Sequence, residues 1–219
     1  MRIIALTDIH GRLKYAPALA EELRAADLVL LPGDLTQFGN RDAALEVVET
    51  VRNVNPNVLA VVGNCDYPDV AEFFDEQSIG IHASHKIVDG VAFAGLGGSL
   101  PCPIQTLNEW SEEQIEGYLD AAVAGLPAST PLILVSHQPP KNTVVDKASN
   151  GMHVGSASVR AFIEERQPLI CFSGHIHEAV GTDAIGPTKL INPGPFFQGS
   201  YAVADLSDRV PSPGIRCIA

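Results

Sequence analysis

An α/β domain with a second, more antiparallel set of strands is the fold class this sequence predicts, and three observations carry it. Apolar runs alternate with helical patterns through the first third of the chain. An Asp-Gly turn divides two apolar runs in the middle, and glycine-punctuated strands without a further helix follow residue 180. Strands alternating with helices imply a parallel sheet covered on its faces. With 219 residues, no internal repeat, no low-complexity linker and no break in composition, residues 1–219 read as one domain. Such a chain buries roughly 70% of the surface its unfolded form exposes.

Each element has its own signal. Residues 3–6 are a short apolar run, and residues 13–26 are rich in Ala, Leu and Glu, as a helix should be. A second strand over 27–31 stops at Pro32-Gly33. Ala44, Val47, Val48 and Val51 recur at helical spacing within 43–54, and the third strand spans 58–62. A helix over 70–76 follows. Asp89-Gly90 predicts a hairpin over 86–93, and Ser111 with Gln114 forms a capping box opening a helix to about Ala124. Strands at 131–135 and 169–172 enclose a helix near 159–165. Residues 138–156 carry no clear pattern, and long loops of this kind are usually functional or mobile.

Composition narrows the partners. The formal net charge of −12 repels nucleic-acid backbone, so no long DNA or RNA partner is expected. Only five apolar residues precede the first carboxylate, too few for a signal-peptide core or a membrane span. The four cysteines form no C-x-x-C pair, which fits reduced thiols in the cytoplasm.

Five segments share one pattern, in which an apolar strand ends and side chains able to bind metal follow. They are Asp8-Ile9-His10, Gly33-Asp34, Gly63-Asn64, Ser136-His137 and Gly174-His175-Ile176-His177. Ligands of open α/β sheets bind beyond the carboxyl ends of the strands, so the five could meet in one crevice. Residues two apart in extended backbone point the same way, so Asp8 with His10, and His175 with His177, can each reach one centre. Any one segment is explained by a turn, a cap or a core histidine. The conjunction of two carboxylates, an amide and four imidazoles in this order is not.

This set resembles the calcineurin-like metallophosphoesterase pattern, over residues 8 to 177. The resemblance implies a four-layer α-β-β-α sandwich of two mixed sheets with a dinuclear metal site at the strand ends. By that resemblance Asp8, His10 and His177 hold one metal, Asn64, His137 and His175 the other, and Asp34 bridges them. Two divalent ions outweigh Asp8, Asp34 and a bridging hydroxide in charge, so a phosphodiester anion is attracted despite the acidic surface. Nitrogen and oxygen donors suit manganese first, with iron, zinc, cobalt or nickel also possible.

The implied function is hydrolysis of a small phosphodiester, with a cyclic nucleotide among the candidates, by metal-activated hydroxide. The alternatives are a non-catalytic protein-binding scaffold of the same fold, or a nuclease. Cys65 stands where the family commonly has His, and reads either as a buried filler or as a weak substrate contact. Asn64 is assigned to catalysis as well as to metal. His153, in the unassigned loop, is a candidate for catalysis and substrate contact. Asp66 reads as a helix cap, and Phe196, Phe197 and Tyr201 as core.

Overall fold

The computed structural model describes residues 1–207 and 210–218. The first half runs β1 (Arg2–Ala5), α1 (Ala16–Ala25), β2 (Leu28–Pro32), α2 (Arg41–Arg52), β3 (Val58–Val61), α3 (Pro68–Glu76), β4 (His85–Val88) and β5 (Val91–Leu96). The second runs α4 (Glu112–Ala122), β6 (Leu132–Ser136), α5 (Ala157–Arg166), β7 (Ile170–Phe172), β8 (Gly181–Ile185), β9 (Thr188–Asn192), β10 (Ser200–Ser207) and β11 (Val210–Cys217).

Two mixed sheets result, ordered β11-β10-β1-β2-β3 and β4-β5-β6-β7-β9-β8. Three apolar layers hold them in a single four-layer domain. One seals α1, α2 and α3 against the first sheet, through residues such as Leu19, Leu23, Val48 and Phe74. The central layer joins the sheets, with Ile3, Leu30, Phe93 and Phe172 fully enclosed or nearly so. The third packs α4 and α5 on the second sheet through Ile115, Leu119, Val159 and Ile163. Each fully buried side chain of this size contributes about 1.5–3 kcal/mol, so the layers rather than helix propensity hold the short helices in place.

The helices begin where local chemistry allows. Asn40 accepts a hydrogen bond from the Ala43 N–H to start α2, and Ser111 and Gln114 exchange both bonds of a capping box at α4. Helix α1 starts at Ala16 rather than residue 13, with a proline in its first turn, where the missing N–H costs nothing. The 138–156 stretch has a core of its own. Buried Asp146 accepts from the Asn142, Thr143 and Gly155 N–H groups, and residues Val144–Asp146 form a 3₁₀ turn.

Strands β1, β2 and β3 are mutually parallel, as are β5, β6 and β7. Their carboxyl ends therefore deliver successive loops to the same region. Backbone bonds knit those loops together, with the Asp8 N–H on Gly33 O, His10 N–H on Asp34 O and Gly174 N–H on His137 O.

Candidate metal centre

Four of the expected ligands stand on left-handed backbone: Asp8, His10, Asp34 and His175 have φ of 53°, 49°, 51° and 66°. Such conformations are unfavourable for residues with a Cβ and cluster at functional sites. Asp8 and His10 do approach one centre, but left-handed turns bring them there, not the alternation of extended backbone. The neighbouring glycines are a packing requirement. A Cβ on Gly63 would strike the Asp34 N and Oδ1 atoms, and one on Gly174 would strike Thr7 Oγ1.

Two donor groups share Asp34. In the first, His177 Nε2 lies 3.3 Å from Asp8 Oδ1 and 3.3 Å from His10 Nε2. In the second, His137 Nε2 is 2.9 Å from Asn64 Oδ1, and the His137 and His175 rings lie 5.2 Å apart. Between them, Asp34 Oδ2 is 3.7 Å from His10 Nε2 and 3.6 Å from His137 Nε2. The other Asp34 oxygen accepts the Cys65 N–H at 2.8 Å, which fixes the carboxylate plane. All seven residues are therefore brought together, and only His175 and His177 are more than marginally exposed.

The electrostatics describe a site short of positive charge. Burial pushes the Asp8 carboxyl up, but its bond to His177 and the charge of His137 outweigh this and hold it below its ordinary value. Asp34 is likewise raised by burial and lowered further by His137 and His10. Burial disfavours a charged His137, yet Asp34 and Asp8 carry it up to about 9. Burial keeps His10 low and takes His175, beside His137, down to about 4, so both rings are neutral and free to ligate. Pro32 O can only accept, so His137 Nδ1, 2.8 Å away, carries a proton, and Nε2, beside Asn64 Oδ1, is the nitrogen turned toward the other donors.

The donor set fits divalent cations. Donor atoms of Asp8, His10 and His177 lie within 4.8 Å of one another, as do those of Asp8, Asp34 and His137. Two imidazole nitrogens 3.3 Å apart beside two buried carboxylates is an arrangement that a cation satisfies directly. Cys65 Sγ groups with His10 and Asp34 within the same reach, so this side chain faces the centre. Burial and then the Asp34 charge push its thiol well above the usual range, and it remains protonated.

Other expectations are redrawn. His153 Nδ1 is 2.7 Å from Asp146 Oδ1, and the side chain does not line the cavity bordered by His10, Asp34, Asn64, His175 and His177. Asp66 is not a helix cap: Tyr67 occupies that position, without a side-chain bond. Completely buried, Asp66 accepts from the Gly63 and Thr36 N–H groups and the Thr36 hydroxyl, each at 2.8 Å, and so ties two ligand loops together. Burial, then the Asp34 charge, raises it to about 6. Phe196 and Tyr201 are core, whereas Phe197 lines the cavity, edge-on to both His10 and His177.

The cavity measures about 380 Å³, and the 102–106 loop forms one wall. Cys102 Sγ lies 3.7 Å from His175 Nε2, a contact the sequence reading missed. The signal was available, because β5 also ends beside β6 and sends its loop to the same edge. Arg12 and Phe38 line the cavity too, each only a few residues beyond a ligand. Among the described residues no helix is long and apolar enough to cross a membrane.

The profile of the calcineurin-like phosphoesterase family matches residues 1–179. An uncharacterized protein of Methanocaldococcus jannaschii is 38% identical over 211 residues, covering 94% of this chain and 92% of that protein. A probable cyclic nucleotide phosphodiesterase of Rhodopseudomonas palustris is 25% identical, covering 82% and 73%. Among solved structures, a Thermus thermophilus protein, TT1561, superposes with a TM-score of 0.77 at 20% identity, covering 97% of each chain.

Proposed function

Because this chain belongs to the calcineurin-like phosphoesterase family, we propose that it hydrolyses a small phosphodiester using two divalent cations, manganese first among them. The observation that carries this reading is the position of Asp34 Oδ2, nearly equidistant from His10 Nε2 and His137 Nε2 in two separate donor groups. Asp8, His10 and His177 would hold one cation and Asn64, His137 and His175 the other, with Asp34 common to both. Cations so placed supply activated water and neutralise charge developing on the phosphoryl oxygens.

The chain's own residues do the positioning. The Pro32 carbonyl fixes the tautomer of His137, the Cys65 N–H orients Asp34, and Asp66 locks the loops carrying Asp34 and Asn64 to each other. No imidazole stands at position 65, and the Cys65 thiol is a poor proton donor there. A substrate whose leaving group departs without a proton is therefore favoured, and diesters of acidic alcohols or phenols meet that condition. The likeness to the Rhodopseudomonas palustris relative adds cyclic nucleotides as a class to test beside them, although their ribose leaving group needs a proton that position 65 does not supply. The four free thiols fit a reducing compartment such as the cytoplasm.

The test is a panel of metals against substrates on stripped protein, comparing nitrophenyl diesters, nitrophenyl monoesters and cyclic nucleotides. Turnover of diesters with manganese supports the reading, and no turnover with any metal overturns it.

A further inference from the structure

Arg12 is a cation placed inside the mouth of this cavity. It follows His10 by two residues and lines the same cavity as His10, Asp34, Asn64 and His177. Among the described residues no lysine and no other arginine lines it. Among the same residues no carboxylate lies within ion-pair reach of its guanidinium, although acidic residues outnumber basic ones 26 to 14 in the chain. What holds it is an aromatic face. The guanidinium carbon stands 5.0 Å from the centre of the Phe197 ring, and Phe197 is braced edge-on against His10 at 5.6 Å and His177 at 5.5 Å.

A guanidinium stacked on a ring keeps its five N–H donors in the guanidinium plane, directed outward, and loses little freedom when an anion arrives. We propose that Arg12 is the anion-binding residue of this cavity, donating to a phosphoryl oxygen of the substrate, and that Phe197 is its positioning residue. The inference rests on the phosphoesterase reading for the identity of the anion as substrate, but not for the binding itself. A fork of fixed direction also explains why the acidic protein needs only one such side chain here: charge-assisted, paired donation is the strongest form of phosphate contact short of a metal. Phe38 and Ile104, both exposed, give the mouth apolar walls as well, so the anionic end of a ligand is drawn to the Arg12 side.

The experiment measures binding of inorganic phosphate by calorimetry to manganese-loaded protein, alongside diester kinetics, for the wild type, Arg12→Ala, Arg12→Lys, Phe197→Leu and the double variant Arg12→Ala with Phe197→Leu. Metal content of each is checked by elemental analysis. Arg12→Ala is expected to keep its metals and weaken phosphate roughly tenfold to hundredfold, with the loss appearing mainly in KM. Arg12→Lys should recover part of it, because charge returns without the planar fork. Phe197→Leu should weaken phosphate in the wild-type background and have no effect when Arg12 is already Ala, a coupling that loss of packing alone would not produce. Phosphate affinity and KM unchanged in Arg12→Ala overturn the assignment of Arg12, and equal effects of Phe197→Leu in both backgrounds overturn that of Phe197. A wild type that binds phosphate through Arg12 yet cleaves no ester leaves this inference standing and removes the phosphoesterase reading instead.

Discussion

His10 and His177, separated by 167 positions in sequence, bring their Nε2 atoms within 3.3 Å of each other. Neither can donate to the other while both act as ligands, so a cation between them and Asp8 is the arrangement that uses all three. Replacing His177 with Ala should chiefly empty this position and leave the one built by Asn64, His137 and His175. Elemental analysis checks it: a variant that retains both metals at wild-type affinity refutes the partition. At a metal concentration a hundredfold above Kd, loading the intact site should stabilise the fold by about 2.7 kcal/mol over stripped protein.

Asp34→Asn should lower occupancy at both positions and nearly abolish turnover. Its carboxylate stands between His10 of one donor set and His137 of the other, and an amide brings neither the charge nor a second acceptor oxygen. The fold should survive better than the activity, since the Cys65 N–H can still find the amide oxygen. Normal activity with two metals per chain would falsify the shared role.

Cys65→Ser should keep both metals and change turnover little, because the buried thiol is protonated and is not needed as a ligand. Loss of a metal in this variant would make Cys65 a ligand. Cys65→His tests the leaving-group argument. A proton donor there is worth roughly 10²–10⁴-fold where the leaving group needs one. Turnover of alkyl monoesters should therefore rise relative to that of nitrophenyl diesters, with a new titration at about pH 6.5 in the rate profile. An unchanged ratio shows that leaving-group protonation does not run through position 65.

His153→Ala should leave kcat and KM as they are. Its ring pairs with Asp146 within the 138–156 loop, and about a third of the side chain is open to solvent, so the expected cost is stability of about 1 kcal/mol or less. A fall in kcat at constant metal content would return this residue to the reaction.

The strand ends were legible because an apolar run followed by Gly-Asp, Gly-Asn or Gly-His is a local signal, and parallel topology then forces the ends together. The left-handed turns at Asp8, His10, Asp34 and His175 were not legible, since φ there is imposed by the rungs between loops rather than by residue type. Asp66 looked like a cap because Pro68 opens α3 two residues later, whereas its partners Leu35 and Thr36 lie some thirty positions away. The Cys102 wall and Phe197 escaped for the same reason: short irregular segments carry no periodicity, and only the sheet order shows which edge they reach.

The pairing of β1 with β10 has a consequence for how the molecule comes into being. Arg2 is matched with Asp205, 203 positions away, so the strand that aims Asp8 and His10 has only β2 beside it until almost the whole chain exists. Every proposed ligand can have been synthesised by residue 177 while the first sheet still exposes a raw edge. Nascent or truncated chains ending near residue 179 should therefore stick to one another rather than bind metal, since an unpaired hydrophobic strand is a template for another chain. Assembly of the complete protein should be slow for its size, with closure of this last long-range ladder setting the pace.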